Sequence, residues 1–422
     1  MSRAQTLSWG ARRLGARAWL SAPPRVGVVL VVCSVTLALA YVQKDPAFLL
    51  RLHPSSFVGL ASYSDIVGLY HPRLIDQGVF PYVHGYLHNG QPAGGAIEYP
   101  VLTGLFMWLA GTLTSGASEY FRFSVLLLFP LGLLIAFLLT RMAGWRALLW
   151  AAAPALALYA FVNWELLVVA AAVAGLWLWW RGRAVWAGVA FGIGAAFKLF
   201  PILFLIPLAI ERSAAGDARA AARSAAAGLG VFALANLPFI VAGPGGWFAT
   251  YQYQSLRGAN YDSIWRLGVP HLSPADLNLV SGALTAAFLA LSLAYGARRR
   301  GAYPFLQVCG AMTAAVLLFS KVHSSQYALW ILPFFALLEV RLAWWVAYTV
   351  ADLTRFFGTL IQGDHPDLAN ALMTAGVWGR AALLLALFAV FLRAPIAEPM
   401  PGVDAVPGAP FSEGVRDRLS RT

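Results

Sequence analysis

The chain has 422 residues, of which 60% are hydrophobic and only 11% charged, and its 30 Lys and Arg against 18 Asp and Glu give a formal net charge of +12. Soluble globular domains carry roughly 25% charged residues and disordered chains lack recurring apolar runs, so both classes are excluded, and the basic balance becomes a matter of membrane topology, not nucleic acid. An all-α polytopic membrane protein remains, since a hydrocarbon layer about 30 Å thick takes roughly 20 apolar residues per helix.

The first apolar stretch, 26–42, follows Arg3, Arg12, Arg13, Arg17 and Arg25, which should hold residues 1–25 in the cytoplasm. Ala38-Leu39-Ala40 resembles a signal-peptidase site, yet the arginine-rich leader and long apolar run fit an uncleaved anchor as well. The polar stretch 44–100, part of a first outer loop over 44–120, is too rich in aromatics, Pro and Gly for a flexible linker and reads as structured. Its pieces 64–70 and 72–78 look like short amphipathic turns lying at the interface. Residues 101–112 read as a partial helix rather than a crossing.

Further apolar runs occupy 121–140, 147–162, 166–180, 184–197, 199–210, 225–241, 277–295, 302–320, 327–338, 342–360 and 371–392, which with the first makes twelve spans within a transmembrane domain at 26–393. A second outer loop covers 243–276, and the Pro-, Gly- and charge-rich tail 394–422 reads as a disordered cytoplasmic end. Charge supports this path: it puts Arg141, Arg146, Arg181, Arg183, Arg212, Arg219, Arg223 and the run Arg298-Arg299-Arg300 inside, whereas a full crossing at 101–112 would invert everything after it. Cys33 and Cys309 lie within apolar runs and set no disulfide framework.

Ionisable residues at or near apolar runs cost several kcal/mol unless paired or hydrated, and so mark functional sites. On the twelve-span path Asp65, Glu98, Glu165, Lys198, Arg257, Asp262, Lys321 and His323 all fall on the outer side. Lys198 sits inside the run 184–210 with Pro201 three residues on, which suggests two short helices meeting in an outward cavity. It is either an anion-binding lysine or one that snorkels from a kinked helix. Asp65 opens an amphipathic turn and either caps it or serves as a general base beside a partly dry cavity. Glu98, in Glu98-Tyr99-Pro100, stands at the start of the partial helix, as structure or as site. Glu165, in Asn163-Trp164-Glu165, lies at an outer helix boundary beside an aromatic that fits an interface anchor equally. The stretch from Lys321 through His323 to Gln326 and Tyr327 gathers hydrogen-bonding groups between two spans. The outer loop with Trp247, Tyr251, Arg257, Asp262 and Trp265 suits a sugar or a headgroup, with the aromatic belt as the plain alternative. There is no Gly-rich phosphate loop, His-Glu-x-x-His, Cys pair or Gly-x-Ser-x-Gly.

Tyr63-Ser64-Asp65-Ile66, Gly78-Val79-Phe80-Pro81-Tyr82, Glu98-Tyr99-Pro100 and Phe197-Lys198-Leu199-Phe200-Pro201, in this order, with a weaker echo at Gln326-Tyr327 and Trp330 to Pro333, resemble the GT-C fold of membrane glycosyltransferases. Within that fold the likeness is to bacterial polyprenol-phosphate-mannose-dependent mannosyltransferases, and it extends from Arg25 to about Leu392. The resemblance implies a plasma-membrane, multi-pass enzyme that moves a sugar from a polyprenyl monophosphate, with inversion, to an extracytoplasmic hydroxyl of a glycolipid or glycan. It assigns Asp65 as general base and Lys198, with His323 or Lys321, to the departing phosphate. Glu98 and Tyr99 join them in positioning substrate, and Glu165, Arg257, Asp262 and Gln326 complete the binding set. No cofactor is implied and no metal is demanded, because the acids are too scattered for a carboxylate cage. Glu165 stands where the family often has Asp, and Val101 where it often has a second Pro. The rival reading is a secondary transporter or lipid flippase, which also needs charge in the membrane; only Lys198 marks a broken helix, with no counterpart in the second half.

Overall fold

The computed structural model describes residues 24–45 and 62–397; the expectations for most of the arginine-rich leader and the tail lie outside these residues. Helices dominate. Five are long and apolar enough to cross a membrane: Arg25–Lys44, Ala117–Ala151, Ala218–Ala242, Pro274–Arg298 and Pro366–Arg393. Shorter apolar helices at Val101–Thr112, Glu165–Trp180, Ala184–Phe197, Phe305–Phe319 and Ser325–Leu337 fill the interior between them. The protein is an all-α polytopic membrane protein.

Helix α1 (Pro24–Lys44) runs unbroken through Ala38-Leu39-Ala40. It packs closely on the segment Ala117–Ala143, with the Cys33 thiol 3.6 Å from the Gly132 carbonyl. The expected span at 147–162 is not one helix but a chain of short turns, Gly144–Ala147, Leu148–Ala151 and Pro154–Tyr159. Pro154 explains the last break, because a proline donates no backbone hydrogen bond and is favoured at a helix start. The helix Val101–Thr112 has the bounds expected of the partial helix.

The helices Ala184–Phe197 and Ala218–Ala242 approach at backbone distance. A Cβ on Gly192 would fall 2.2 Å from the Gly228 carbonyl oxygen, and one on Gly188 2.1 Å from that of Ser224. Small residues four apart on each helix permit this contact, which van der Waals packing stabilises where lipid offers no hydrophobic drive.

One feature departs from the all-helical expectation. Tyr86–His88 and Gln91–Ala93 pair as an antiparallel hairpin, register Tyr86↔Ala93. Asn89 and Gly90 both have positive φ, 50° and 74°, as an Asn-Gly turn of the mirror-image type requires. That dipeptide was readable in the sequence.

The two ends of the helical body differ. At one end the polar segments 62–100, 244–273 and 320–327 fold over the helix tips. At the other, Arg146 donates to the carbonyls of Phe335 (2.7 Å), Leu338 (2.7 Å) and Ala336 (3.1 Å), so a guanidinium satisfies the last carbonyls of the helix Ala328–Leu337.

Candidate active site

The loop-rich end gathers the acids and cations that the sequence scattered over more than 250 positions. Its first anchor is the four-residue turn Asp65–Gly68. Ser64, not Asp65, caps it, accepting from the Ile66 amide, while the Ser64 hydroxyl donates to the Phe161 carbonyl at 2.7 Å. The Asp65 amide donates to the Val162 carbonyl at 2.6 Å. These bonds leave the Asp65 carboxylate unused by the backbone. One oxygen accepts from the Tyr63 hydroxyl at 2.5 Å; the other accepts weakly from the Tyr99 hydroxyl at 3.3 Å and the Asn163 amide at 3.4 Å. Burial pushes the carboxyl above its ordinary 3.8, and the charge of Glu98 adds to this, while the bonds from Tyr63 and Asn163 and the charge of Lys198 act against it.

The second anchor is the helix break at Lys198. Helix Ala184–Phe197 ends there, Lys198 takes an extended conformation, and a 3₁₀ turn at Phe200–Phe204 resumes the chain, as Pro201 requires. Thr103 donates to the freed Phe197 carbonyl at 2.8 Å. The Lys198 ammonium pairs with Glu165 and sits over three rings, Tyr327 at 4.2 Å, Trp330 at 5.4 Å and Tyr99 at 5.7 Å. Glu165 accepts from the Trp330 indole at 2.5 Å with its other oxygen. Trp330 is itself sandwiched, 4.2 Å from Phe200 and 4.3 Å from Tyr327. Tyr99 thus bridges the two anchors, its hydroxyl on Asp65 and its ring beneath Lys198. Tyr99, Asn163, Glu165 and Lys198 line a narrow cleft between them.

Glu98 is committed elsewhere. Arg73 holds it with two bonds, 2.6 and 2.9 Å, and both side chains are largely buried. Of the three acids closest to the cleft, Asp65 alone has no cation bonded to it among the described residues.

The remaining expected residues fall in two groups. Arg257 and Lys321 lie together on the same end, the lysine ammonium donating to the Arg257 carbonyl at 2.8 Å and the Ser255 carbonyl at 3.2 Å. Burial and the neighbouring charge of Arg257 push Lys321 down to about 8. The Arg257 side chain lies over the Tyr253 ring. Asp262 belongs to a second polar cluster: it pairs with Arg355, while its carbonyl accepts from Arg380 at 2.7 Å and Arg380 reaches Asp352 at 3.2 Å. Ser325, next to the buried Gln326, bonds both Asp262 and Arg355. His323 is buried, its Nδ1 2.8 Å from the Leu317 carbonyl, and burial holds it well below its usual 6.5, hence uncharged.

Sequence reasoning passed over Arg73, Asp352, Arg355 and Arg380. The last three carried a usable signal, because they interrupt the apolar runs 342–360 and 371–392, where charges need partners. Among the described residues no group of three or more His, Cys, Asp and Glu converges that could hold a metal ion.

The multi-pass helical body thus carries a carboxylate, a caged ammonium and aromatic platforms at one end. The sequence profile of glycosyltransferase family 87 matches residues 97–320, more than half of the chain, and the protein belongs to that family: it is a membrane glycosyltransferase. No curated protein matches the chain. The matched stretch holds Glu98, Glu165, Lys198, Arg257 and Asp262, and leaves Asp65 before it and Lys321, Asp352, Arg355 and Arg380 after it.

Proposed function

We propose that this enzyme transfers a sugar, mannose by the resemblance of its motifs, from a polyprenyl monophosphate to a hydroxyl of a glycolipid or glycan on the extracytoplasmic side of the plasma membrane. The chain crosses twelve times on this reading, with Val101–Thr112 lying as a partial helix in a GT-C-like arrangement. The basic residues that flank the spans at the end opposite Asp65 support the sidedness.

The observation that carries the reading is that, among the described residues, Asp65 alone of the three acids near the cleft has no cation bonded to it. Asp65 has only neutral hydrogen-bond donors on its oxygens and an affinity for protons raised by burial, the properties of a general base. It takes the proton of the acceptor hydroxyl as that oxygen bonds to the anomeric carbon; the bond from that carbon to the phosphate oxygen breaks on the opposite face, and polyprenyl monophosphate leaves. Glu98 is held by Arg73 and Glu165 by Lys198 and Trp330, so neither is free to act as a nucleophile, and a single displacement with inversion follows. Lys198, one ring away from Asp65, and Arg257, on the same loop-rich end, offset the charge that develops on the leaving phosphate. Tyr99 keeps base and cation in register, and Glu165 fixes the ammonium. Gln326, Asp262 and uncharged His323 support the loop that carries Tyr327 rather than meeting the phosphate.

The test is an assay of the purified protein against a panel of labelled lipid-linked sugars. Transfer from a polyprenyl-phosphate sugar and none from a nucleotide sugar is the expected result; transfer from the nucleotide sugar alone overturns the reading.

A further inference from the structure

A groove of about 380 Å³ opens between the helices Pro274–Arg298 and Phe305–Phe319, apart from the cleft at Lys198, and is lined at one end by Lys321. Its first wall is made by Ser281, Gly282, Thr285 and Ala286, two adjacent pairs set four residues apart on one helix, and its second by Val316 and Phe319. The small side chains leave it open: a Cβ on Gly282 would meet no atom within 4 Å. The volume lies within the roughly 300 to 1,000 Å³ of ordinary ligand sites. Leu279 and Leu291 on the same helix are 72% and 56% exposed, so the groove lies along a surface that faces lipid.

Lys321 stands at its mouth. The ammonium has three donors, of which the carbonyls of Ser255 and Arg257 take two. Neither Lys321 nor Arg257 has a carboxylate partner among the described residues, and two adjacent cations repel each other until an anion joins them. An apolar trough that ends on Lys321, with Arg257 bonded to that lysine through its carbonyl, complements a lipid with one chain and a phosphate head. We infer that this groove holds the isoprenoid chain of a polyprenyl monophosphate, whose phosphate rests against Lys321 and Arg257. The inference rests on the donor class proposed above and adds where the lipid lies and which cations first receive it.

The test is binding of a polyprenyl monophosphate and of the neutral polyprenol of equal chain length to the purified protein in detergent, read as Kd. Wild-type protein should prefer the phosphate. Gly282→Phe and Ala286→Phe, which fill the trough, should each weaken both lipids at least tenfold, and Lys321→Gln should remove most of the preference for phosphate. Leu234→Phe, on the exposed side of the helix Ala218–Ala242, should bind as wild type, with thermal unfolding checking that all variants fold. Wild-type affinity in both trough-filling variants, equal affinity of the wild type for phosphate and polyprenol, or equal competition by a diacyl phosphatidic acid overturns the inference. Binding in the groove without any sugar transfer contradicts the proposed function and leaves the groove standing; transfer at wild-type KM by both filled variants does the reverse.

Discussion

Two polar clusters share the loop-rich end, and they are built on opposite principles. Around Asp262, Arg355, Arg380 and Asp352 two acids meet two guanidinium groups, so the formal charges cancel, and Arg380 and Asp352 are almost fully buried. Around Asp65 the charges stay open among the described residues: its carboxylate has no cation bonded to it, Lys321 and Arg257 have no acid, and the Tyr99 ring stands between the base and Lys198. The closed cluster ties the segments around Asp262 and Ser325 to the last two helices, and so steadies Tyr327 under Lys198. Charges satisfied among themselves hold a fold together; charges left waiting are available to a substrate.

The sharpest way to break this contrast is to neutralise one charged residue in each cluster. Asp65→Asn should lower transfer by about 10²-fold or more while thermal unfolding stays at the wild-type value, the loss expected of a general base. Normal turnover would remove Asp65 from the chemistry. Arg380→Leu should instead act on stability, since removing one partner of a buried ion pair costs about 3–5 kcal/mol. A variant that unfolds as wild type would show the closed cluster to be dispensable. Lys198→Ala should raise the donor KM about tenfold and the acceptor KM far less. Equal rises would make it a structural lysine.

The smallest effect is in pH. Asp65 works as a base only when ionised, and its affinity for protons is raised from the ordinary 3.8. The acid limb of kcat/KM should therefore fall away at a pH above 3.8, with activity regained as pH rises through that limb. A limb at or below 3.8 would mean that the group titrating is a solvated carboxylate.

Much of this organisation was legible in the sequence, for identifiable reasons. The Lys198 break could be read because a cation and a proline inside one apolar run have few alternatives, and the partial helix Val101–Thr112 because a full crossing there would invert the charge bias of everything after it. The convergence of Asp65 and Lys198 was suggested by charge bias, but their bridge through Tyr99 was not, since a ring that serves two partners leaves no periodic trace. Arg73 escaped notice because an arginine in a polar loop looks solvated until its partner, Glu98, is found 25 residues away. The pairing of Lys198 with Glu165, across 33 residues, is of the same kind.

The claim beneath all of this is that one free carboxylate performs the chemistry. The measurement that meets it most directly is the anomeric configuration of the sugar in the product, read by NMR after transfer from a donor of known configuration. Inversion is predicted, because a lone base activates a hydroxyl that attacks opposite the phosphate. Retention would require a second carboxylate as nucleophile and would contradict the account in which Glu98 and Glu165 are bound to Arg73 and Lys198.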